Sequence, residues 1–303
     1  MTDKSFLQSD DWGRFQEAVG LTVLKHNGYQ FFETSIPMGK YLYCPHPLFY
    51  NAQEFIAGAT ELAKQNKAWF VRLEPNVGSA NLQTAQNIHS TLPSQPGRTL
   101  HIPLADDETM LAAMHQKTRY NMRVAEKAGV RISFSNSTES AEALIRLLER
   151  TGERAGIRLH PSAYYEKMLD LLGGTNPAEG EFRVEVALAE HDGVNVAGAL
   201  LGWWGDTVIY LHGGSNYERR SLMAPHLLHW TAMRRARDAG KTIYDMGGIS
   251  PDDQSNHPWA GISRFKSGFG GNPIDYPPAV DVVLNEFSYK VYGLARKLRR
   301  SVK

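Results

Sequence analysis

The stretch "GISRFKSGFGG", Gly261 to Gly271, sets one aromatic residue and one cation, Phe265 and Lys266, inside a frame of glycines. Glycine admits backbone angles that other residues avoid, so the frame predicts a loop whose main chain bends tightly or approaches a ligand. A lysine fixed there can hold a positive charge against an oxygen that becomes negative during a reaction. Taken alone, the same stretch also describes a surface turn with a solvated lysine.

Other positions carry charge at telling spacings. Arg119, Arg123 and Lys127 recur every four residues and form a basic stripe on one helix face, suited to phosphate and equally to plain solvation. Lys40, in "IPMGKYLY", stands at a strand end beside a glycine, where a point charge can meet a phosphate or simply finish a turn. His226 and His229 lie three apart on a helix, a spacing that suits packing better than ligation, and no metal site is expected. There is no P-loop, no HExxH, no G-x-S-x-G and no dinucleotide fingerprint. A pyrophosphate cradle for coenzyme A needs backbone donors and glycine before a helix. "SNYERRSLMAP" has no glycine between Ser215 and Pro225, and "PHPLFYNAQEF" is no better, so coenzyme A is disfavoured.

The elements that must position these residues follow from the wider pattern. A chain of 303 residues with a net charge of +1 has length for two domains and no general attraction for polyanions. Its one cysteine, Cys44, excludes an intrachain disulfide, and the charged start "MTDKSFLQSDDWGRF" carries no signal-peptide core, so a cytoplasmic protein is expected. No run of eighteen apolar residues offers a membrane span.

One unit is written twice. In "FRVEVALAEHDGVNVAGALLGWWGDTVIYLHGG", β-branched and aromatic runs are separated by Asp192-Gly193 and Gly205-Asp206, which predicts a three-strand meander. A helix over "APHLLHWTAMRRARDAG" and a strand over "KTIYDM" follow. The first half offers strands around Asn27-Gly28 and the Pro37–Lys40 turn, a helix in "AQEFIAGATELAKQNK" and the strand "AWFVRLEP". The expected fold is α/β with mixed sheets, as tandem N-acetyltransferase-like domains around a cleft: residues 1–132 plus 280–303, and residues 133–279. A single helix from Asp106 to Gly129, capped by Asp106 and Asp107, leads into the second domain. At the end, "EFSYKVYGLARKLRRSVK" predicts a helix that docks through Phe287, Val291, Leu294 and Leu298 and leaves Arg296, Lys297, Arg299, Arg300 and Lys303 toward solvent, where anionic lipid would attract them.

In order along the chain, "LQSDDWGRFQ", "WFVRLEP", "KTRYNMRVAEKAGVRI", "TGERAGIRLHPSAYYEKM", "LMAPHLLHW", "YDMGGI" and "GISRFKSGFGG" resemble successive motifs of the Fem family of peptidoglycan peptidyltransferases, in a short form without the coiled-coil arm. The resemblance implies an aminoacyltransferase that moves an amino acid from aminoacyl-tRNA to the stem peptide of a peptidoglycan precursor, with no cofactor. It gives Lys266 the electrostatic role at the ester carbonyl, with Phe265 supplying backbone contact and the glycines letting the segment approach the tRNA end. The acceptor's diphosphate falls to Lys40 from the first domain and to Arg154 or Arg158 from the second, with Tyr217 beside the acceptor. Arg119, Arg123 and Lys127 are candidate tRNA or phosphate contacts. The expected partners are therefore aminoacyl-tRNA, the precursor and an anionic membrane surface, met by a monomer. The competing readings are an acyl-CoA-dependent N-acyltransferase of the same fold and a noncatalytic module that binds tRNA or a membrane surface.

Overall fold

The computed structural model describes residues 4–82, 87–156, 158–174, 180–251 and 257–301, with the side chains of the last helix through Arg296. In chain order the first elements are α1 (Asp10–Ala18), β1 (Val23–His26), β2 (Tyr29–Ile36), β3 (Gly39–Pro45), α2 (Ala52–Gln65), β4 (Phe70–Glu74) and β5 (Ile88–Ser90). Next come β6 (Arg98–Pro103), α3 (Asp107–Ala113), α4 (Gln116–Lys127), β7 (Arg131–Phe134), α5 (Thr138–Ala155) and α6 (Ser162–Leu172). They are followed by β8 (Arg183–His191), β9 (Val194–Trp204), β10 (Thr207–Ser215), α7 (Ala224–Asp238), β11 (Ile243–Gly248) and α8 (Ala260–Ser267). The chain closes with β12 (Asn272–Asp275), β13 (Val280–Val283) and α9 (Glu286–Ser301). Two compact units result: Asp3–Gly97 with Asp275–Lys303, and Arg98–Ile274.

The first unit carries a sheet in the order β1-β2-β3-β4-β13-β5. Asn27 and Gly28 both take positive φ, 49° and 80°, which a two-residue hairpin requires for its twist to match the strands it joins. β3 and β4 run parallel with α2 as their crossover, and α2 buries Phe55, Ala59 and Leu62 into the core that holds Phe31, Leu42 and Leu73. β13 returns the chain to this sheet, and Asp281 pairs across the ladder with Arg72. The two side chains are buried and bonded in fork geometry, Nε to Oδ1 and Nη2 to Oδ2, each at 2.8 Å. Both ends of the charge pair are satisfied, so loss of either one would strand the other in the core.

The second unit carries a sheet in the order β12-β6-β11-β10-β9-β8-β7. β8, β9 and β10 form the expected antiparallel meander, and β11 lies parallel to β10 after α7. Along β9 the residues alternate between faces. Ala197, Ala199, Leu201 and Trp203 share a core with Leu228, Ala232 and Met233 of α7, while Gly198 faces Leu144 and Leu147 of α5. The repeat legible in the sequence is thus real: β1-β2-β3-α2-β4 and β8-β9-β10-α7-β11 have the same order and the same strand senses.

Four expectations change. β6 pairs antiparallel with β11, so residues 98–132, assigned above to the first domain, fold with the second unit. The helix expected over 106–129 is two helices: Met114 is extended at ψ 147°, and the His115 side chain accepts from Lys117 N to start α4. Lys266 lies in the last turn of α8 rather than in a loop. Finally, α9 docks through Tyr289, Tyr292 and Arg296, whereas Phe287 and Leu294 are exposed; Lys303 and the side chains of Lys297, Leu298, Arg299 and Arg300 fall outside the described residues. The tyrosines displaced the aliphatic stripe because they give the buried Asp281 a hydrogen bond and the Phe70 ring an aromatic neighbour.

Among the described residues, no helix is long and apolar enough to cross a membrane, and no group of three or more His, Cys, Asp or Glu is placed to hold a metal ion.

Candidate active site

The parallel ladder between β10 and β11 runs only from Thr207/Ile243 to Ile209/Asp245. Beyond it both strands lose regularity: β10 shifts register against β9 between Tyr210 and His212, and β11 shifts against β6 between Asp245 and Gly248. Such irregularities re-aim backbone and side chains away from the ladder. Lys266 reaches this region from α8. Its Nζ donates to the Gly248 carbonyl oxygen at 2.8 Å and lies 5.4 Å from the centroid of the Tyr210 ring, so one ammonium touches both diverging strands. An ammonium has three donors, and the Gly248 bond leaves capacity for a further acceptor.

The side chain is only 7% exposed. Burial pulls its pKa down to about 8, and the negative charge of Asp245 opposes that fall. The lysine is therefore largely charged at neutral pH and close to the point of losing its proton. Asp245 also shapes the backbone that Lys266 binds. Its Oδ1 accepts from Gly247 N at 2.7 Å and from the Thr99 hydroxyl, while Oδ2 lies 3.7 Å from His101 Nε2. Gly247 takes φ +70°, and a Cβ there would stand 3.0 Å from the Tyr210 carbonyl oxygen and 3.7 Å from Lys266 Nζ. Only glycine lets the main chain pass that close.

Phe265 turns the other way. Its ring packs on His226, His229 and Phe269 and lines a cavity of about 610 Å³ with Ser215, Asn216, Arg219, Arg220 and the first residues of α7. Its carbonyl oxygen accepts from Gly268 N at 3.3 Å. The two histidines are packing residues. His229 is fully buried and bonded to the Tyr244 hydroxyl at 2.9 Å, and burial, with the charges of Lys266 and His226 as lesser causes, pulls its pKa down to about 3. His226 bridges Asn121 Nδ2 at 3.1 Å and the Met223 carbonyl at 3.3 Å, which occupies both ring nitrogens. Neither is placed as a general base.

The glycines after Lys266 serve the fold rather than a ligand. Gly270 and Gly271 have φ +84° and +90°, and a Cβ would approach the Ala113 carbonyl oxygen to 2.8 Å and that of His101 to 2.5 Å. They clamp the end of α8 against α3 and β6, which fixes where Lys266 points.

The remaining candidates divide. Tyr217 is half exposed and lies between two guanidinium groups, Arg154 at 4.9 Å and Arg220 at 4.3 Å from its ring centroid. Since Arg220 also lines the cavity beside Phe265, Arg154 and Tyr217 belong to the same neighbourhood. Arg158 is exposed. Lys40 belongs to the first unit and is held by Glu33 at 2.6 Å. In the α4 stripe, Arg119 donates to the carbonyls of Leu111 and Met114 and so finishes α3, whereas Arg123 and Lys127 are exposed. The residues that sequence reasoning missed are Asp245, Gly247, Thr99 and Tyr210. "YDMGGI" marks the first two, since an aspartate two residues before a glycine pair is a turn signal. Nothing local marks the others.

The model of the FemAB family matches residues 91–179 and 175–297 of the chain. A lipid II:glycine glycyltransferase of Staphylococcus aureus (strain USA300) is 24% identical, with 77% of this chain and 73% of the relative covered. The crystal structure of FemX superposes with a TM-score of 0.80 at 20% identity, covering 95% of this chain and 94% of that one. The C-terminal domain of a putative lysylphosphatidylglycerol synthetase from Agrobacterium fabrum shares the fold at a TM-score of 0.62 and 12% identity, with 90% of this chain and 87% of that one covered.

Proposed function

The chain belongs to the FemAB family, and from that premise we propose that it is an aminoacyltransferase that moves an amino acid from aminoacyl-tRNA to an amine on the stem peptide of a peptidoglycan precursor. The observation that carries this reading is the buried Lys266 ammonium, held between the diverging ends of β10 and β11 with donor capacity left over. In the reaction, the unprotonated acceptor amine attacks the ester carbonyl carbon and a C–N bond forms. The carbonyl oxygen becomes an oxyanion. When the carbonyl re-forms, the C–O bond to the ribose breaks, the ribose oxygen leaves with the electron pair, and it takes up the proton that the new ammonium gives up. Negative charge appears twice, on the carbonyl oxygen and on the leaving oxygen, and a cation fixed in a low-dielectric site favours both without having to reorganise.

Asp245 supports this chemistry from a distance by keeping the buried lysine protonated. As separate candidate contacts to the acceptor's diphosphate we keep Lys40 on the first unit and, on the second, Arg154 or Arg158, with Tyr217 beside Arg154, and leave Arg123 and Lys127 as cations available to the tRNA backbone. Arg119 is withdrawn from that role by its bonds to Leu111 and Met114. A relative named for glycine transfer to lipid II favours a precursor of that class as acceptor. The place of action that goes with charged tRNA is the cytoplasm. Incubation of the protein with charged total tRNA and either a nucleotide-linked or a lipid-linked precursor, followed by mass spectrometry of the acceptor, tests the proposal. A mass gain of one residue on either acceptor supports it. No gain with tRNA, but an acyl gain with acyl-CoA, would replace it with the competing acyltransferase reading.

A further inference from the structure

The last helix holds on to its unit by one face and leaves the opposite one uncovered. Tyr289 Oη donates to Asp281 at 2.9 Å, the Tyr292 ring lies 5.1 Å from that of Phe70, and Arg296 bonds Thr91 Oγ1 at 3.3 Å. Positions 289, 292 and 296 share a helix face at i, i+3, i+7 spacing. Phe287, Val291 and Leu294 share another, on the far side of the helix. There Phe287 is 79% and Leu294 is 63% exposed, and Leu298 continues the spacing in the sequence. The phenylalanine and the leucine stand two turns apart with the half-buried Val291 between them, so they line one face of the helix as an apolar stripe.

We propose that this outer stripe of α9 is a membrane-contacting surface, occupied by the headgroup boundary of a bilayer that contains anionic phospholipid. Charge decides between the possible occupants. Residues 286–303 hold six Lys or Arg and one Glu, although the whole chain has a net charge of only +1, so a basic excess is concentrated in the same segment of sequence as the stripe. A second copy of the chain would bring the same positive segment against itself. An RNA would satisfy the charge but offers no apolar phase for Phe287 and Leu294. An anionic bilayer satisfies both. Exposed Lys290, one turn from Phe287 and Leu294, can lay its stem along the apolar boundary and keep its ammonium in the headgroups. With no helix among the described residues able to cross the membrane, the contact lies in the plane of the interface, with the apolar face entering about 5–10 Å. Stable anchoring of this kind needs apolar and basic signals together.

The test uses the whole chain, floated with phosphatidylcholine vesicles made with and without phosphatidylglycerol. The wild type is expected to float with the anionic vesicles, and to lose only part of its binding in high salt, because salt screens the cations but not the stripe. Phe287→Ser with Leu294→Ser should lower binding to the anionic vesicles roughly tenfold at low salt. Circular dichroism shows whether the double variant folds, and Leu294→Gln alone, at a position without close packing, serves if it does not. Equal flotation of wild type and variants, or no flotation of the wild type, overturns the proposal. So does a dimer in sedimentation that the variant converts to monomer, or binding to tRNA that the variant loses. Transfer to a nucleotide-linked, water-soluble acceptor should be the same in wild type and variants, so this surface and the transferase reading stand or fall separately.

Discussion

Lys266 Nζ lies 2.8 Å from the carbonyl oxygen of Gly248, on a strand end that a network of Thr99, Asp245 and Gly247 holds out of regular register. The cation is therefore placed by backbone, not by a carboxylate that would neutralise it. Lys266→Met keeps the approximate volume and removes the charge. It should lower kcat by roughly a hundred- to a thousandfold, the size of effect seen when one oxyanion donor is removed, with acceptor affinity nearly unchanged. Single-turnover rates and calorimetric acceptor binding measure the two. Near-normal turnover would end the assigned role.

The same burial has a cost for stability that depends on pH. Lys266 has a folded-state pKa of about 8 against an ordinary 10.5, so between those values the unfolded chain holds the proton and the folded chain does not. Stability must rise with pH where the unfolded state binds more protons. The wild type should gain on the order of 1–3 kcal/mol across this window relative to Lys266→Met, and denaturant midpoints of the pair at pH 8 and pH 10 show it. A difference that is flat with pH would mean that the lysine is not titrating as a buried group.

Much of the fold was legible because strand-turn chemistry is local. Asn27-Gly28 and Asp192-Gly193 specify hairpins on their own, and the meander-helix-strand order was readable twice. β6 was not: Arg98–Pro103 is a strand because β11 lies beside it, and its partner residues stand more than a hundred positions away. The glycine frame predicted a loop around Lys266 that the structure does not have, since Gly270 and Gly271 make room for the carbonyls of Ala113 and His101 at the end of α8. The face that α9 presents was misread because hydropathy ranks Phe287 above Tyr289, while Asp281 needed the tyrosine's hydroxyl. Asp245 and Tyr210 meet Lys266 only through the sheet, which no spacing along the chain reveals.

Lys40 offers a test that its own environment makes sharper. It is two-thirds buried and paired with Glu33 at 2.6 Å, so an arriving phosphate would have to compete with that carboxylate. If Lys40 meets the acceptor's diphosphate, Lys40→Ala should weaken acceptor binding by on the order of 1–3 kcal/mol, whereas Glu33→Gln should leave it equal or tighter. Calorimetry on both variants reads this directly. Equal affinity in wild type and Lys40→Ala would make the lysine no more than Glu33's partner.

Asp245→Asn separates charge from shape at the centre of the site. The amide oxygen can still accept from Gly247 N and from the Thr99 hydroxyl, so the turn that presents Gly248 to Lys266 is retained. What disappears is the negative charge that resists deprotonation of the lysine. The wild-type rate should fall on the alkaline side as Lys266 loses its proton near pH 8, and in the variant that limb should move to lower pH, because the charged form of the lysine has lost its support. At pH 6, where the lysine is protonated in both, the two proteins should differ much less than at pH 8. The comparison is the pH profile of kcat under saturating acceptor. A uniform loss of rate at every pH, with the alkaline limb in place, would show that Asp245 acts only by holding the turn, and a profile identical to the wild type would remove it from the site altogether.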